Sequence, residues 1–232
     1  MGHNINQPVS TMAIKTLQKG FTLIEMLIVV AIFAVVATVL LFNYSDFSTS
    51  VGVRNLAQEI GLSVRKAQSY ATSVRTINGT SGVLSNTYPA FGIAFSVDAG
   101  AAQKYGPTKN NFDLFADVSP SDDRITNNMY DNNGVCGAPG QGQECVEDFG
   151  INTSNSIVSL CSDVPIANSC MTPETGGSAT VVFHRPSPDA VICVSTIDCA
   201  LRRASYLKIT VRSPKGLERV VTVWNTGQIS VN

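Results

Sequence analysis

Residues 21–42 read FTLIEMLIVVAIFAVVATVLLF and form the longest apolar stretch of the chain. They are apolar except for Glu25 and two threonines. A helix of about 20 apolar residues is long enough to cross the hydrocarbon core of a bilayer. The sequence therefore predicts one membrane-spanning helix near the N-terminus.

Residues 1–20, ahead of this stretch, are mixed and polar, and Lys15 and Lys19 lie shortly before Gly20. Because basic residues beside a membrane helix stay in the cytoplasm, the rest of the chain is predicted to lie outside it. An ordinary secretory signal would have a shorter apolar core followed by a small-residue cleavage site. Residues 39–44 contain no such site, so the sequence favours a single-pass membrane segment.

A simple membrane anchor does not explain Glu25. A carboxylate inside an apolar span costs several kcal/mol unless it finds a partner, so it marks a functional site. The run from Lys19 to Glu25, KGFTLIE, resembles the cleavage and methylation signal of type IV prepilins and type II secretion pseudopilins. The resemblance covers a short part of the chain, but its residue order is highly specific.

The resemblance implies how the chain is processed and assembled. Residues 1–20 would be a leader peptide that prepilin peptidase removes after Gly20, leaving Phe21 as an N-methylated N-terminus. In a filament, Glu25 would pair with the Phe21 amine of a neighbouring subunit, and this buried pair would fix the axial register. The implied partners are other pilin or pseudopilin subunits, the prepilin peptidase, and the assembly platform with its ATPase.

The same resemblance implies a location. The subunit would be held in the bacterial inner membrane by residues 21–42, with its C-terminal domain outside the cytoplasm. These residues would later form the core helix of a filament, either at the cell surface or in the periplasm.

The helix is predicted to continue through residues 43–75 as an amphipathic segment. Apolar residues recur there every three or four positions, for example at Val53, Leu56 and Ile60, with polar residues between them. The resemblance interprets this segment as the second half of a long N-terminal helix, packed on a sheet through its apolar stripe.

Residues 76–232 are predicted to form an extracytoplasmic β-rich domain. Short β-branched runs separated by Pro, Gly and Asp turns indicate strands of an antiparallel sheet or a small β-sandwich. A long polar loop region, about residues 98–178, interrupts these strands. The predicted fold class is α+β, with a long N-terminal helix packed on the sheet.

The cysteines indicate an oxidising compartment. All six lie after residue 135, in three close-set pairs: Cys136 with Cys145, Cys161 with Cys170, and Cys193 with Cys199. An even number of clustered cysteines in a loop-rich segment is typical of disulfides, although the sequence leaves their connectivity open. A zinc site is disfavoured because the chain has no C-x-x-C and no His among the first four cysteines.

An acidic segment of the middle region is a candidate calcium loop. Its carboxylates are Asp117, Asp122, Asp123 and Asp131. Hard oxygen ligands suit calcium, but the spacing is not that of an EF-hand. Asp and Asn also favour turns because they hydrogen-bond to the local backbone, so a solvated loop without a cofactor is the favoured interpretation.

Nucleic acid is a second candidate ligand. Lys208 and Arg212 share one face of a predicted strand with Thr210, and a basic face of this kind can hold phosphates. The formal net charge of the whole chain is only −1, which disfavours a dedicated nucleic-acid protein. A DNA-binding minor pilin that serves in DNA uptake is therefore kept as an alternative.

The C-terminal strands resemble those of H-type minor pseudopilins and related minor pilins. The runs concerned are LKITV at 207–211, RVVTV at 219–223 and GQISV at 227–231. The resemblance implies a structural subunit, of minor type, in a type IV pilus or a type II secretion pseudopilus. An unprocessed single-pass protein with an anchored binding domain is the remote alternative.

No catalytic motif accompanies these features. The chain has two histidines, His3 and His184, and neither G-x-S-x-G nor a Gly-rich phosphate loop is present. An enzymatic activity is therefore not expected.

Overall fold

The computed structural model describes residues 20–73, 89–98, 107–117, 127–130, 136, 144–164, 170–194, 199 and 203–232. The chain forms two compact units, residues 1–45 and 46–232. The described residues contain one helix, α1 (Leu23–Thr72), and ten strands. The strands are β1 (Ala90–Ser96), β2 (Asn111–Asp117), β3 (Cys145–Gly150), β4 (Ser156–Ser162), β5 (Cys170–Met171), β6 (Ser178–Phe183), β7 (Ala190–Val194), β8 (Tyr206–Arg212), β9 (Glu218–Trp224) and β10 (Ile229–Val231). The predicted α+β fold class is confirmed.

Helix α1 changes character along its length. None of the segment Leu23–Leu40 is buried within the protein, and among the described residues it is the one helical segment long and apolar enough to cross a membrane. In the second unit, one stripe of α1 is buried in the core. Its members are Val53, Leu56, Ala57, Ile60, Val64, Ala67 and Ala71. Their spacing of three and four residues follows the helical repeat, as the sequence predicts.

The strands form two antiparallel five-stranded sheets. Sheet 1 has the order β3-β2-β1-β6-β7, and sheet 2 has the order β10-β9-β8-β4-β5. Ile60 of the helix, Phe91 of β1 and Ile209 of β8 belong to one buried cluster. The amphipathic half of α1 therefore packs against both sheets.

The region predicted as a long loop, residues 98–178, contains β2, β3, β4 and β5. In β3, Glu147 and Asp148 are not buried, and β5 is only two residues long. Charged strands and very short strands carry little of the alternating apolar pattern by which strands are recognised. Strands β3 and β5 are therefore hard to recognise in the sequence. The register of the sheet cannot be predicted locally either, because it depends on partner strands far away in the chain.

Sheet 1 is covered on its outer face as well as on its core face. All seven residues of β1 are buried. A second, smaller cluster, here called the outer cluster, lies on the side facing away from the main core. It comprises Ala90, Ala94, Phe115 and Val182, with Tyr130 packed against them. Sheet 2 differs, because Lys208 and Arg212 of β8 remain exposed.

Candidate functional site

The predicted processing site lies just before α1. Gly20 is exposed, and a Cβ atom built on it would meet no atom within 4 Å. Phe21 is exposed as well. The geometry therefore leaves the Gly20–Phe21 bond open to a peptidase.

Thr22 and Glu25 cap the first turn of α1. The backbone N–H of Glu25 donates a hydrogen bond to Thr22 Oγ1 at 3.3 Å, and the backbone N–H of Thr22 donates to Glu25 Oε2 at 3.5 Å. This reciprocal arrangement is a capping box, which satisfies N–H groups that the helix leaves unpaired. The sequence signal for this capping box is the Thr-x-x-Glu spacing. Sequence reasoning missed it because it considered only the free-energy cost of placing the Glu25 carboxylate in a membrane. Glu25 thus has a partner within its own chain.

Residues 15–41 match the family described as the prokaryotic N-terminal methylation motif. This chain carries a type IV pilin-like prepilin signal. The motif supports a type IV pilin-like or pseudopilin precursor, and it implies processing by prepilin peptidase and assembly with other pilin subunits. Together with the apolar segment Leu23–Leu40, it fits a single-pass anchor in the inner membrane. No curated protein and no solved structure matches the chain, so the likeness to H-type minor pseudopilins stays a prediction.

All six cysteines of the chain are disulfide-bonded. The bonds join Cys136 to Cys145, Cys161 to Cys170, and Cys193 to Cys199. Each bond therefore joins cysteines that lie close together in the sequence, and no free thiol remains. Cys161 and Cys170 are also direct partners in the β4–β5 pairing.

Asp117, the first residue of the predicted calcium loop, has a structural role. Its side chain is buried and accepts hydrogen bonds from the backbone N–H groups of Asn127, at 3.3 Å, and Asn128, at 2.8 Å. The calcium site itself stays a prediction, because the other three residues lie outside the described part of the chain: Asp122, Asp123 and Asp131.

Residues 127–130 form a strap over the outer face of sheet 1. Besides the bonds to Asp117, Thr180 of β6 donates a hydrogen bond from its hydroxyl to the carbonyl oxygen of Asn128 at 2.7 Å. The strap ends at Tyr130, whose ring centroid lies 5.2 Å from that of Phe115 in the outer cluster. Polar contacts to two strands therefore hold an aromatic side chain over this cluster.

His184 also contacts the strap, through its Nε2 and the side-chain oxygen of Asn128. Burial lowers the pKa of His184, and the charge of Arg203 lowers it further. The ring is therefore neutral at neutral pH and serves as a hydrogen-bonding side chain of the strap.

Asp113 of β2 is a buried acid beside the strap. Its side chain is 1% exposed. Burial raises the pKa of Asp113 to about 7; the nearby Tyr130 hydroxyl opposes this change, and the charge of Asp148 adds to it. Burial also raises the pKa of Tyr130, and its buried hydroxyl makes no hydrogen bond of good geometry to a described residue. A buried carboxyl that titrates near neutral pH is a candidate functional group.

The Asp113 carboxylate lies next to a disulfide. A carboxylate oxygen of Asp113 and the sulfurs of Cys136 and Cys145 lie within 4.8 Å of one another. Metal ligation by cysteine requires thiolates, and these sulfurs are bonded to each other, so the group is not a metal centre in this state. It is a buried carboxyl group beside a disulfide bond.

The two predicted DNA-contact residues, Lys208 and Arg212, differ in their contacts. Lys208 is exposed, with its Nζ 5.2 Å from the ring centroid of Tyr206. Arg212 donates from Nε to Glu218 Oε1 at 2.7 Å and forms an ion pair with the same carboxylate across β8 and β9. The charge of Arg212 is thus partly neutralised, which reduces the basic character of this face.

Proposed function

We propose that this protein is a minor structural subunit of a type IV pilus or a type II secretion pseudopilus. The proposal rests on one observation: the prepilin signal opens a single helix, α1, that is apolar and unburied over Leu23–Leu40 and buries an apolar stripe in the β-rich unit farther along. An apolar helix surface of this size is stable only in a membrane or against other helices. The subunit therefore passes from the inner membrane into a bundle of neighbouring helices.

Exposed apolar residues beyond the membrane segment support assembly through α1. Phe47 is 68% exposed and Leu62 is 64% exposed, and Val51 is also exposed. Val51 and Leu62 are separated by about three helical turns and so share one face. That face is opposite to the stripe that includes Val64. A neighbouring pilin helix would cover it in a filament.

The β-rich unit supports a minor role. Two of the three disulfides and the strap constrain the middle region of the chain. A large domain with such a region is easier to place at a filament tip than at every position along a shaft. Disulfides also persist in oxidising compartments, which supports an extracytoplasmic domain. In this proposal the protein is not an enzyme, and the peptidase acts on it.

The first test of the proposal is the mature N-terminus. We expect the chain from cells that contain prepilin peptidase to begin at Phe21 and to carry one additional methyl group. Intact-mass measurement and N-terminal sequencing, with and without the peptidase, give the answer. A chain that begins near Met1 in both kinds of cell would contradict the proposal and leave an unprocessed, anchored binding domain.

Replacement of Glu25 tests the assembly step. Glu25→Gln keeps an acceptor oxygen for the capping box but removes the charge, whereas Glu25→Ala removes both. If the carboxylate pairs with the Phe21 amine of a neighbour, both variants should enter filaments at least about tenfold less than the unsubstituted chain. The amount of subunit in sheared filaments, relative to membranes, measures this. Normal incorporation of Glu25→Gln would show that Glu25 acts only as a helix cap.

A further inference from the structure

The surroundings of one disulfide differ from those of the other two. Among the described residues, Cys136–Cys145 is the disulfide with a carboxylate oxygen, that of Asp113, within 4.8 Å of both sulfurs. The register places Cys145 opposite Phe115, on the outer face of sheet 1 that Asp113 shares. The irregularity in that register between Leu114 and Phe115 lies next to Asp113 in the chain.

The two sulfurs of this disulfide are not equally accessible. Cys145 is 1% exposed, whereas Cys136 is partly exposed. A thiolate from solution attacks the sulfur that it can reach, and the other sulfur leaves. Attack therefore falls on Cys136, and Cys145 becomes the leaving group beside the buried carboxyl.

We propose that Cys136–Cys145 is an exchange-active disulfide, and that Asp113 donates a proton to the Cys145 sulfur when the bond opens and accepts it when the bond closes. The partner is a dithiol reagent or a thiol–disulfide oxidoreductase. Because Asp113 titrates near neutral pH, its protonated and ionised forms are both populated under ordinary conditions.

The opening step is balanced as follows. A thiolate of the partner forms a bond to Cys136 Sγ, the bond between Cys136 and Cys145 breaks, and the Cys145 sulfur takes the proton of Asp113, which becomes a carboxylate. The second thiol of the partner, as a thiolate, then attacks the partner's own sulfur in the mixed disulfide. It releases Cys136 as a thiolate that is protonated by water. Two electrons pass to the protein disulfide, and the dithiol partner becomes a disulfide.

Closure is the reverse. Starting from a mixed disulfide between Cys136 and an oxidoreductase, the Cys145 thiol gives its proton to the Asp113 carboxylate. The resulting thiolate attacks Cys136 Sγ, and the oxidoreductase leaves with its sulfur reduced. A base within reach of a buried thiol is what this step requires, since the thiolate is the nucleophile.

Among the residues that the structure describes, the groups that face Asp113 do not include a positively charged partner. From the strap comes the Tyr130 hydroxyl, and from β3 comes the carboxylate of Asp148. From β2 itself, Asn111 Nδ2 donates to Asp148 Oδ1 at 3.0 Å and reaches Asp113 Oδ1 at 3.4 Å. The charge of Glu144 raises the pKa of Tyr130. None of these groups is a cation, so a proton is what compensates the Asp113 charge.

The disulfide Cys161–Cys170 of the same chain is an internal control for the reduction of Cys136–Cys145. Its cysteines are separated by nine positions, as are those of Cys136–Cys145, so the two bonds close loops of equal length. Among the described residues, no carboxylate oxygen lies within 4.8 Å of both of its sulfurs. Both disulfides react with the same reducing agent in one sample. The ratio of their reduction rates therefore does not depend on how far that agent is ionised.

The test is reduction of the full chain in detergent by dithiothreitol, followed by acid quenching, alkylation and mass spectrometry of each cysteine. We expect the rate for Cys136–Cys145, divided by that for Cys161–Cys170, to fall about tenfold between about pH 5.5 and about pH 8.5. The fall reflects ionisation of Asp113, which then has no proton to donate and repels the leaving thiolate. A ratio that does not change with pH in the unsubstituted protein would overturn the proposal.

Two variants separate this role from a structural one. In Asp113→Asn, the ratio should become independent of pH, because the amide does not titrate. In Asp148→Asn, the fall should remain but move to lower pH, because one charge that raises the pKa of Asp113 is gone. Persistence of the full pH dependence in Asp113→Asn would refute the assignment to this residue.

Discussion

Substitution of Gly20 by Val should leave the chain uncut at the Gly20–Phe21 bond without disturbing its fold. Gly20 is exposed, and a side chain built on it meets no atom within 4 Å. The cost of the substitution within the protein is therefore close to zero, and any effect arises in the peptidase. A peptidase that recognises glycine at this position has no space for the isopropyl group of valine, so we expect processing to fall at least about a hundredfold. The mass of the chain from peptidase-containing cells measures it.

The matched control is Thr22→Ser, two residues farther on. A serine hydroxyl keeps the cap of α1, because Ser and Thr both accept from the backbone N–H at the third helical position. This variant should be processed normally. If Gly20→Val were also cut normally, the prepilin signal would not be the site of processing, whatever the function of the folded unit.

The helical part of the fold could be predicted because its causes are local. An apolar run at membrane length and a stripe at the helical repeat depend only on residues close together in sequence. The stripe predicted from Val53, Leu56 and Ile60 is buried as expected. The motif at Gly20–Glu25 is equally local, and residues 15–41 match the prokaryotic N-terminal methylation motif.

The division into two sheets and the site beside the disulfide could not be predicted in the same way. Their causes are contacts between residues far apart in sequence, such as the pairing of Phe115 with Cys145. In the sequence, Asp113 is one acid within a short alternating run, and nothing marks it as buried. Its burial follows from the packing of the strap and β3 against β2, which only the structure shows. The outer cluster is hidden for the same reason, since Tyr130 reaches it from a polar segment.

Asp113 should make the folded unit less stable as the pH rises. Its pKa is about 7 in the folded protein against 3.8 as the ordinary value. Between these values the folded state holds a proton that the unfolded state has released, so the free energy of unfolding decreases with pH across this interval. Below about pH 4 both states are protonated and the penalty is absent. Above about pH 7 the folded state must bury a charge, and the penalty is complete.

Replacement of Asp113 by Asn removes the titration while nearly keeping the shape of the side chain. A pKa change of one unit corresponds to about 1.4 kcal/mol, so we expect the variant to be more stable than the unsubstituted protein by roughly 2–4 kcal/mol at about pH 8. At about pH 4 the difference should disappear. Urea unfolding of the oxidised unit 46–232 at several pH values measures the difference, and other titrating groups cancel in the comparison. A constant difference at all pH values would mean that Asp113 is not protonated in the folded protein. Asp148→Asn, which alters an exposed carboxylate on the neighbouring strand, should change stability much less.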